Sequence, residues 1–188
     1  MSSAFLNRET IEAAFQALGR KALADQKIIE IAVYGGSALV LTLPGRPATK
    51  DIDAVVQNDP HWMRQAVATL AEERGWPAEW FNDGVKGWLS ERDADPEAKA
   101  LFKTYPSEDG PGLRVFTASP HYLFAMKCLA MRIGGVEATQ DRADIEALAA
   151  AIGIRTAKEA LTVVSRYYPM SRITPKTQFG IEEIFGPS

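Results

Sequence analysis

"YGGSALVLTLPGRPATKDIDAVV", residues 34–56, sets two glycines and a serine before an apolar stretch and ends on a strand-like run that opens with two aspartates. Upstream, "KIIEIAVYGG" is a short isoleucine-rich run that stops at the glycines, the pattern of a buried strand. Serine after Gly35 and Gly36 is a good helix start, so "SALVLTL" is read as helix although its local propensity also allows strand. "DIDAVVQ" alternates and then turns apolar, as a strand does. On such a strand Asp51 and Asp53 project to one face, about 6.5–7 Å apart along the chain. Two carboxylates so placed repel unless a cation joins them, and magnesium takes carboxylate and phosphate oxygens. A solvated strand edge is the plainer account of an isolated Asp-x-Asp. The preceding turn shifts the balance, because backbone amides of Gly35 and Gly36 and the Ser37 hydroxyl at a helix start suit phosphate oxygens.

The rest of the chain supports a mixed α/β (α+β) core followed by helices. Residues 8–23 place Ile11, Phe15, Leu18 and Ala22 at helical spacing, with Asn7 or Thr10 as cap. Asp59 and Pro60 open an amphipathic helix that Gly75 closes. The turn-rich, aromatic middle is read as a strand near residues 79–81, a helical turn near 85–89 and a strand near 100–105. "GLRVFTA" is a further strand. Ser119 and Pro120 then cap the helix "PHYLFAMKCLAMR", and helices follow at "TQDRADIEALAAAIG", "TAKEALTVVSRYY" and near 175–185. The expected division is a core with its N-terminal helix over 1–118 and a helical region over 119–188.

With 21 basic and 24 acidic residues and a net charge of -3, overall charge does not mark a nucleic-acid binder. The N-terminus lacks the apolar run of a signal peptide, and no stretch has the length of a membrane span. The single cysteine, Cys128, agrees with a cytoplasmic location. His61 and His121 lie far apart in sequence, which speaks against a zinc site. No nucleophile elbow and no Walker-type loop occurs.

The glycine-serine turn followed after thirteen residues by Asp-x-Asp resembles the signature of nucleotidyltransferases with a DNA polymerase β type of palm. Taken with "FNDGVKGWL", "SPHYLFAMKCLAMR" and "QDRADIEAL", the chain is most similar over residues 28–150 to bacterial nucleotidyltransferase-like proteins related to AbiE-type toxins. The resemblance implies a polymerase β-like palm with a mixed sheet and a C-terminal helical bundle. It implies an NTP substrate on Gly35, Gly36 and Ser37, with Mg2+, or Mn2+ in its place, on Asp51 and Asp53. It further implies transfer of a nucleoside monophosphate to tRNA or protein, and an antitoxin as partner; an antibiotic acceptor and a nucleotide-binding protein without turnover are the alternatives.

One departure is plain: "GLRVFTA" carries no third acid. In the toxin-related branch, the resemblance implies, a lysine and an aspartate of a later helical motif complete the site. Lys127 is the only charge in a ten-residue apolar run, costly to bury unless paired, so it either reaches the surface or meets phosphate, Asp141 or Asp144. If it serves phosphate, Lys127→Met leaves stability unchanged or raises it. Asp141 and Asp144 share a face and are read at the N-terminal end of their helix, where capping is the ordinary role of acids. By resemblance Asp144 is the one favoured to reach the site, with Asp141 at the nucleotide, and Arg132 is expected to point elsewhere. The resemblance also brings the segment of Asn82 and Asp83 toward the nucleotide. Arg46 and Lys50 are read equally as triphosphate contacts and as a solvated loop.

Overall fold

Most of the helices begin where a side chain accepts from an amide of the first turn. The computed structural model describes residues 5–132 and 134–186. Asn7 caps α1 (Arg8–Ala24) by accepting from the Thr10 amide at 2.8 Å, and the face carrying Ile11, Phe15 and Leu18 is buried. Asp59 caps α3 (Pro60–Arg74) through the Trp62 amide, with proline in the first turn and Gly75, at φ 64°, ending it. Ser119 and Pro120 start α4 (Pro120–Ala130). Thr156 and Glu159 form a reciprocal capping box at α6 (Ala157–Tyr167).

The sheet has five strands: β2 (Ile29–Val33), β4 (Ile52–Val56), β5 (Phe81–Asn82), β6 (Lys99–Pro106) and β7 (Pro111–Ala118). Their order is β5-β4-β2-β7-β6. β2 runs antiparallel to β4 and parallel to β7, so the apolar β2 lies inside the sheet. The hairpin β6–β7 closes one edge, and β5 pairs in parallel with the first two residues of β4 at the other. α2 (Gly35–Thr42) joins β2 to the segment that precedes β4. The fold is thus mixed α/β with helices gathered toward the C-terminus.

The chain divides into two compact units. The first holds the residues up to Lys86 together with Lys99–Ala118, and the second holds Gly87–Ala98 with the chain from Ser119 onward. In the second, Gly87–Ala98 is tied to the helices: Arg172 donates to the carbonyls of Gly87 and Leu89, each at 3.0 Å, and the Tyr168 hydroxyl donates to that of Trp88 at 2.6 Å. The Ser90 amide donates to the Tyr122 hydroxyl, whose ring stacks on Tyr167.

One pairing is added to the expected elements and three local expectations change. A two-residue pairing, β1 (Leu6–Asn7) with β3 (Ala48–Thr49), is too short to leave an alternating pattern in sequence. The strand expected at 79–81 is a 3₁₀ turn at Ala78–Trp80 that buries Trp80, and only Phe81–Asn82 extend. The strand expected from Asp51 begins at Ile52, with Asp51 on the bend before it. α5 (Gly135–Ile152) starts earlier than the apolar spacing indicates, directly after Gly134 and at Gly135, both with φ 81°. Asp141 and Asp144 therefore sit in its second and third turns, and their role is not N-terminal capping. α7 (Pro175–Phe185) ends the described chain, and among the described residues no helix is long and apolar enough to cross a membrane.

Candidate functional site

The turn between β2 and α2 is built against Asp53. Gly35 has φ 56°, a conformation that side chains disfavour, and a Cβ there would overlap Oδ2 of Asp53. Only glycine lets the backbone and that carboxylate share the space. At Gly36 an added Cβ would stand 2.8 Å from Thr49 Oγ1 and 3.5 Å from Arg46 Nη2. Arg46 is thereby drawn out of the loop reading and against the glycine turn. Its spacing from the turn carries no signal in sequence, because the β1–β3 pairing that folds residues 44–50 back is itself unmarked.

Ser37 does something other than expected. It is fully buried; its hydroxyl donates to the Tyr34 carbonyl at 2.9 Å and accepts from the Asp53 amide at 3.2 Å. Its one proton is committed, so it does not also donate to a phosphate. Instead it fastens β4 to the first turn of α2. The Tyr34 amide donates to the Asp53 carbonyl at 2.9 Å, so Asp53 is gripped through both backbone groups.

Asp51 and Asp53 come together through Asn82. Asn82 is the register partner of Asp53, and partners on adjacent strands project to one face. Its side-chain amide donates to Asp51 Oδ2 at 3.0 Å, so Asp51 lies on that face too. Asn82 Oδ1 in turn accepts from the Gly84 amide at 2.9 Å, fixing which end of the amide faces the acid. Asp83 turns the other way, pairing with Lys86 at 2.6 Å, and Lys50 is exposed beside Asp51. One half-buried face thus carries two carboxylates, an orienting amide, a glycine turn and a guanidinium. Among the described residues no cluster of three or more His, Cys, Asp or Glu is placed to hold a metal by itself. Two carboxylates do suit magnesium, which keeps most of its shell for phosphate and water.

In the helical unit, Lys127, Asp141 and Asp144 meet one another. Lys127 Nζ is 2.8 Å from Asp144 Oδ2 and 3.4 Å from Asp141 Oδ1, and both acids are almost fully buried, at 3% and 4% exposure. Arg132 does not point elsewhere: it follows the end of α4, where the chain turns back, and grips Asp141 with Nε at 2.8 Å and Nη2 at 3.0 Å. Burial alone would raise the Asp141 pKa, but the Arg132 hydrogen bond and the Lys127 charge hold it below the usual carboxylate value. Gln140 donates to Asp144 Oδ1 at 2.9 Å. Cys128, beside Lys127, is buried, and burial pushes its thiol pKa up, which leaves it a packing residue.

No family model matches the chain. A search of curated proteins gives no match. Among solved structures, the chain is similar to that of an antigenic nucleotidyltransferase-like protein from Paracoccidioides brasiliensis. The two share 15% identity, with 98% of this chain and 100% of the other covered and a TM-score of 0.48.

Proposed function

We propose that the chain is a magnesium-dependent nucleotidyltransferase that moves a nucleoside monophosphate from an NTP to a tRNA or protein acceptor, with release of pyrophosphate. The observation that carries this reading is the packing of the Asp53 carboxylate against Gly35, which puts an acid and the amides of a glycine turn in one small space. Asp51 and Asp53 would hold the metal, which when bound neutralises phosphate charge and eases in-line attack. The amides of Gly35 and Gly36, with Arg46 alongside, bind and orient the triphosphate. Asn82 keeps Asp51 turned toward the same face, and Ser37 keeps Asp53 from shifting along the sheet. A part for Lys127, Asp141 and Asp144 in transfer, and an antitoxin as binding partner, are supported by the resemblance alone.

The test is incubation with each α-labelled NTP, magnesium and either total RNA or lysate protein. Label should pass to one of these pools and should fail to pass with Asp51→Asn/Asp53→Asn. Calorimetry adds a second readout, since that double variant should lose most NTP–magnesium affinity. Undiminished affinity would refute the assignment of these acids. A second reading, nucleotide binding without turnover, is favoured by β7: its one charged side chain is Arg114, paired with Glu30 at 3.1 Å, so it offers no third carboxylate. Tight NTP binding with no transfer to any acceptor would select it.

A further inference from the structure

The hydroxyl expected at the phosphates, that of Ser37, has given its proton to the Tyr34 carbonyl. A second hydroxyl stands at the same turn. Thr49 is 7% exposed, and its Oγ1 lies 2.8 Å from the point where a Gly36 Cβ would stand, nearer than its own Cβ at 3.4 Å. The side chain thus turns its oxygen toward the first turn of α2. Among the described residues nothing hydrogen-bonds that oxygen. A buried hydroxyl without a partner is costly, and native structures rarely keep one that nothing meets. Nor can the backbone turn it away, because Thr49 is held in the ladder opposite Leu6, whose side chain is 1% exposed.

The helix start beside it is open in the same sense. No side chain caps α2 at Tyr34. The Ala38 amide donates to the Tyr34 carbonyl at 3.1 Å and begins the helical ladder, so the amides of Gly35, Gly36 and Ser37 have no acceptor within the helix. With no Cβ at Gly36, nothing on that residue stands between these amides and the Thr49 hydroxyl. Arg46 Nη2 lies on the same side, 3.5 Å from the same point.

We propose, building on the nucleotidyl-transfer reading, that Thr49 is a substrate-binding residue. Its hydroxyl donates to a non-bridging oxygen of the magnesium-bound triphosphate, alongside the first amides of α2, and fills the part that Ser37 cannot. Charge selects this ligand. The Asp53 carboxylate occupies the space beside Gly35, so a simple anion on the amides would meet a like charge with nothing to neutralise it. A polyphosphate that carries magnesium brings the cation with it, and its oxygens away from the metal still need donors. Thr49 and Asp51 are two residues apart, so one short segment supplies both a donor for the phosphates and a carboxylate for the metal. The β1–β3 ladder sets that segment against the turn.

The test compares Thr49→Val, similar in shape but without the hydroxyl, with Thr49→Ser, which keeps it. Calorimetry measures two probes in magnesium, an NTP and inorganic tripolyphosphate, and melting curves follow the free proteins. Thr49→Val should bind both probes about tenfold or more weaker than the parent, as loss of a hydrogen bond to a charged group does. Thr49→Ser should stay within about threefold of the parent. The midpoint of Thr49→Val should be unchanged or higher, because the free protein loses no hydrogen bond. Parental affinity in Thr49→Val overturns the proposal. So does a lowered midpoint with unchanged affinity, which marks the hydroxyl as structural, or a Thr49→Ser as weak as Thr49→Val, which marks the methyl group. Transfer from α-labelled NTP is scored separately on the parent. Binding that depends on Thr49 without any transfer upholds the proposed contact and refutes nucleotidyl transfer, whereas transfer with Thr49→Val at parental affinity does the reverse. A parent that binds neither probe refutes both.

Discussion

Replacing Lys127 by methionine is expected to destabilise the protein strongly, the reverse of what its apolar helix suggests by itself. Methionine matches the lysine stem in volume, so packing is kept and the change is one of charge. What it leaves behind is the cost. Asp144, 3% exposed, loses the cation 2.8 Å away, and Asp141, 4% exposed, loses one at 3.4 Å but keeps the Arg132 fork. The loss is therefore mainly that of one buried carboxylate without its counter-ion, for which removal of a single partner costs about 3–5 kcal/mol. For a chain of this size each kcal/mol shifts the midpoint by about 2–4 °C, so melting at pH 7 should fall by about 6–20 °C. Circular dichroism melts of the parent, Lys127→Met, and Lys127→Met combined with Asp144→Leu decide it. The double variant removes both ends of the pair and should recover most of the loss. A midpoint for Lys127→Met within 2 °C of the parent, on the order of the melt's own reproducibility against the shift expected, would refute the buried-pair reasoning. Turnover measured on the same variants, below their melting range, then reports on any separate part of Lys127 in transfer.

Gly35→Ala should destabilise by about 1–2 kcal/mol from its left-handed backbone alone, and more if the Asp53 carboxylate is displaced; loss of NTP–magnesium affinity by calorimetry, in excess of any change in Gly36→Ala, checks the special role of that position. Acid unfolding should involve Asp141. Its folded pKa is depressed below the ordinary 3.8, so its stabilising contribution is complete above that value and is lost as pH falls through the lower folded one. Arg132→Met, which removes the main cause of the depression, should therefore move the onset of acid unfolding to higher pH; an unchanged acid limb in a pH series of melts would count against it.

The elements that sequence made legible are those with strong local chemistry. Caps at Asn7, Asp59, Ser119 and Thr156 mark helix starts because each is a polar group with one nearby task. β2 is legible from its buried apolar run. What sequence could not show depends on pairings at long range. The two-residue β1–β3 ladder brings Thr49 and its neighbours back toward the glycine turn, and neither strand is long enough for alternation to be seen. Arg132 reads as a surface residue on a helix until α4 stops at Met131, its C-cap, and the chain turns back toward α5. The early start of α5 was hidden because glycines and small polar residues precede its apolar face.

At the candidate site the residue types were legible and the division of labour among them was not. A glycine-serine pair before Asp-x-Asp invites the reading that serine and both acids face the ligand together. The hydroxyl of Ser37 has one proton, and Tyr34 takes it; the oxygen accepts from the Asp53 amide, so the serine acts on the acid's backbone. The carboxylate of Asp53 is positioned instead by the missing Cβ of Gly35, and that of Asp51 by the amide of Asn82, twenty-nine residues after Asp53 in the chain and beside it in the sheet. Each acid is thus held by a different device, one steric and one hydrogen-bonded. Substitutions at Gly35 and Asn82 should for that reason disturb different acids: a bulkier residue at 35 displaces Asp53, while Asn82→Leu frees Asp51 without touching the turn.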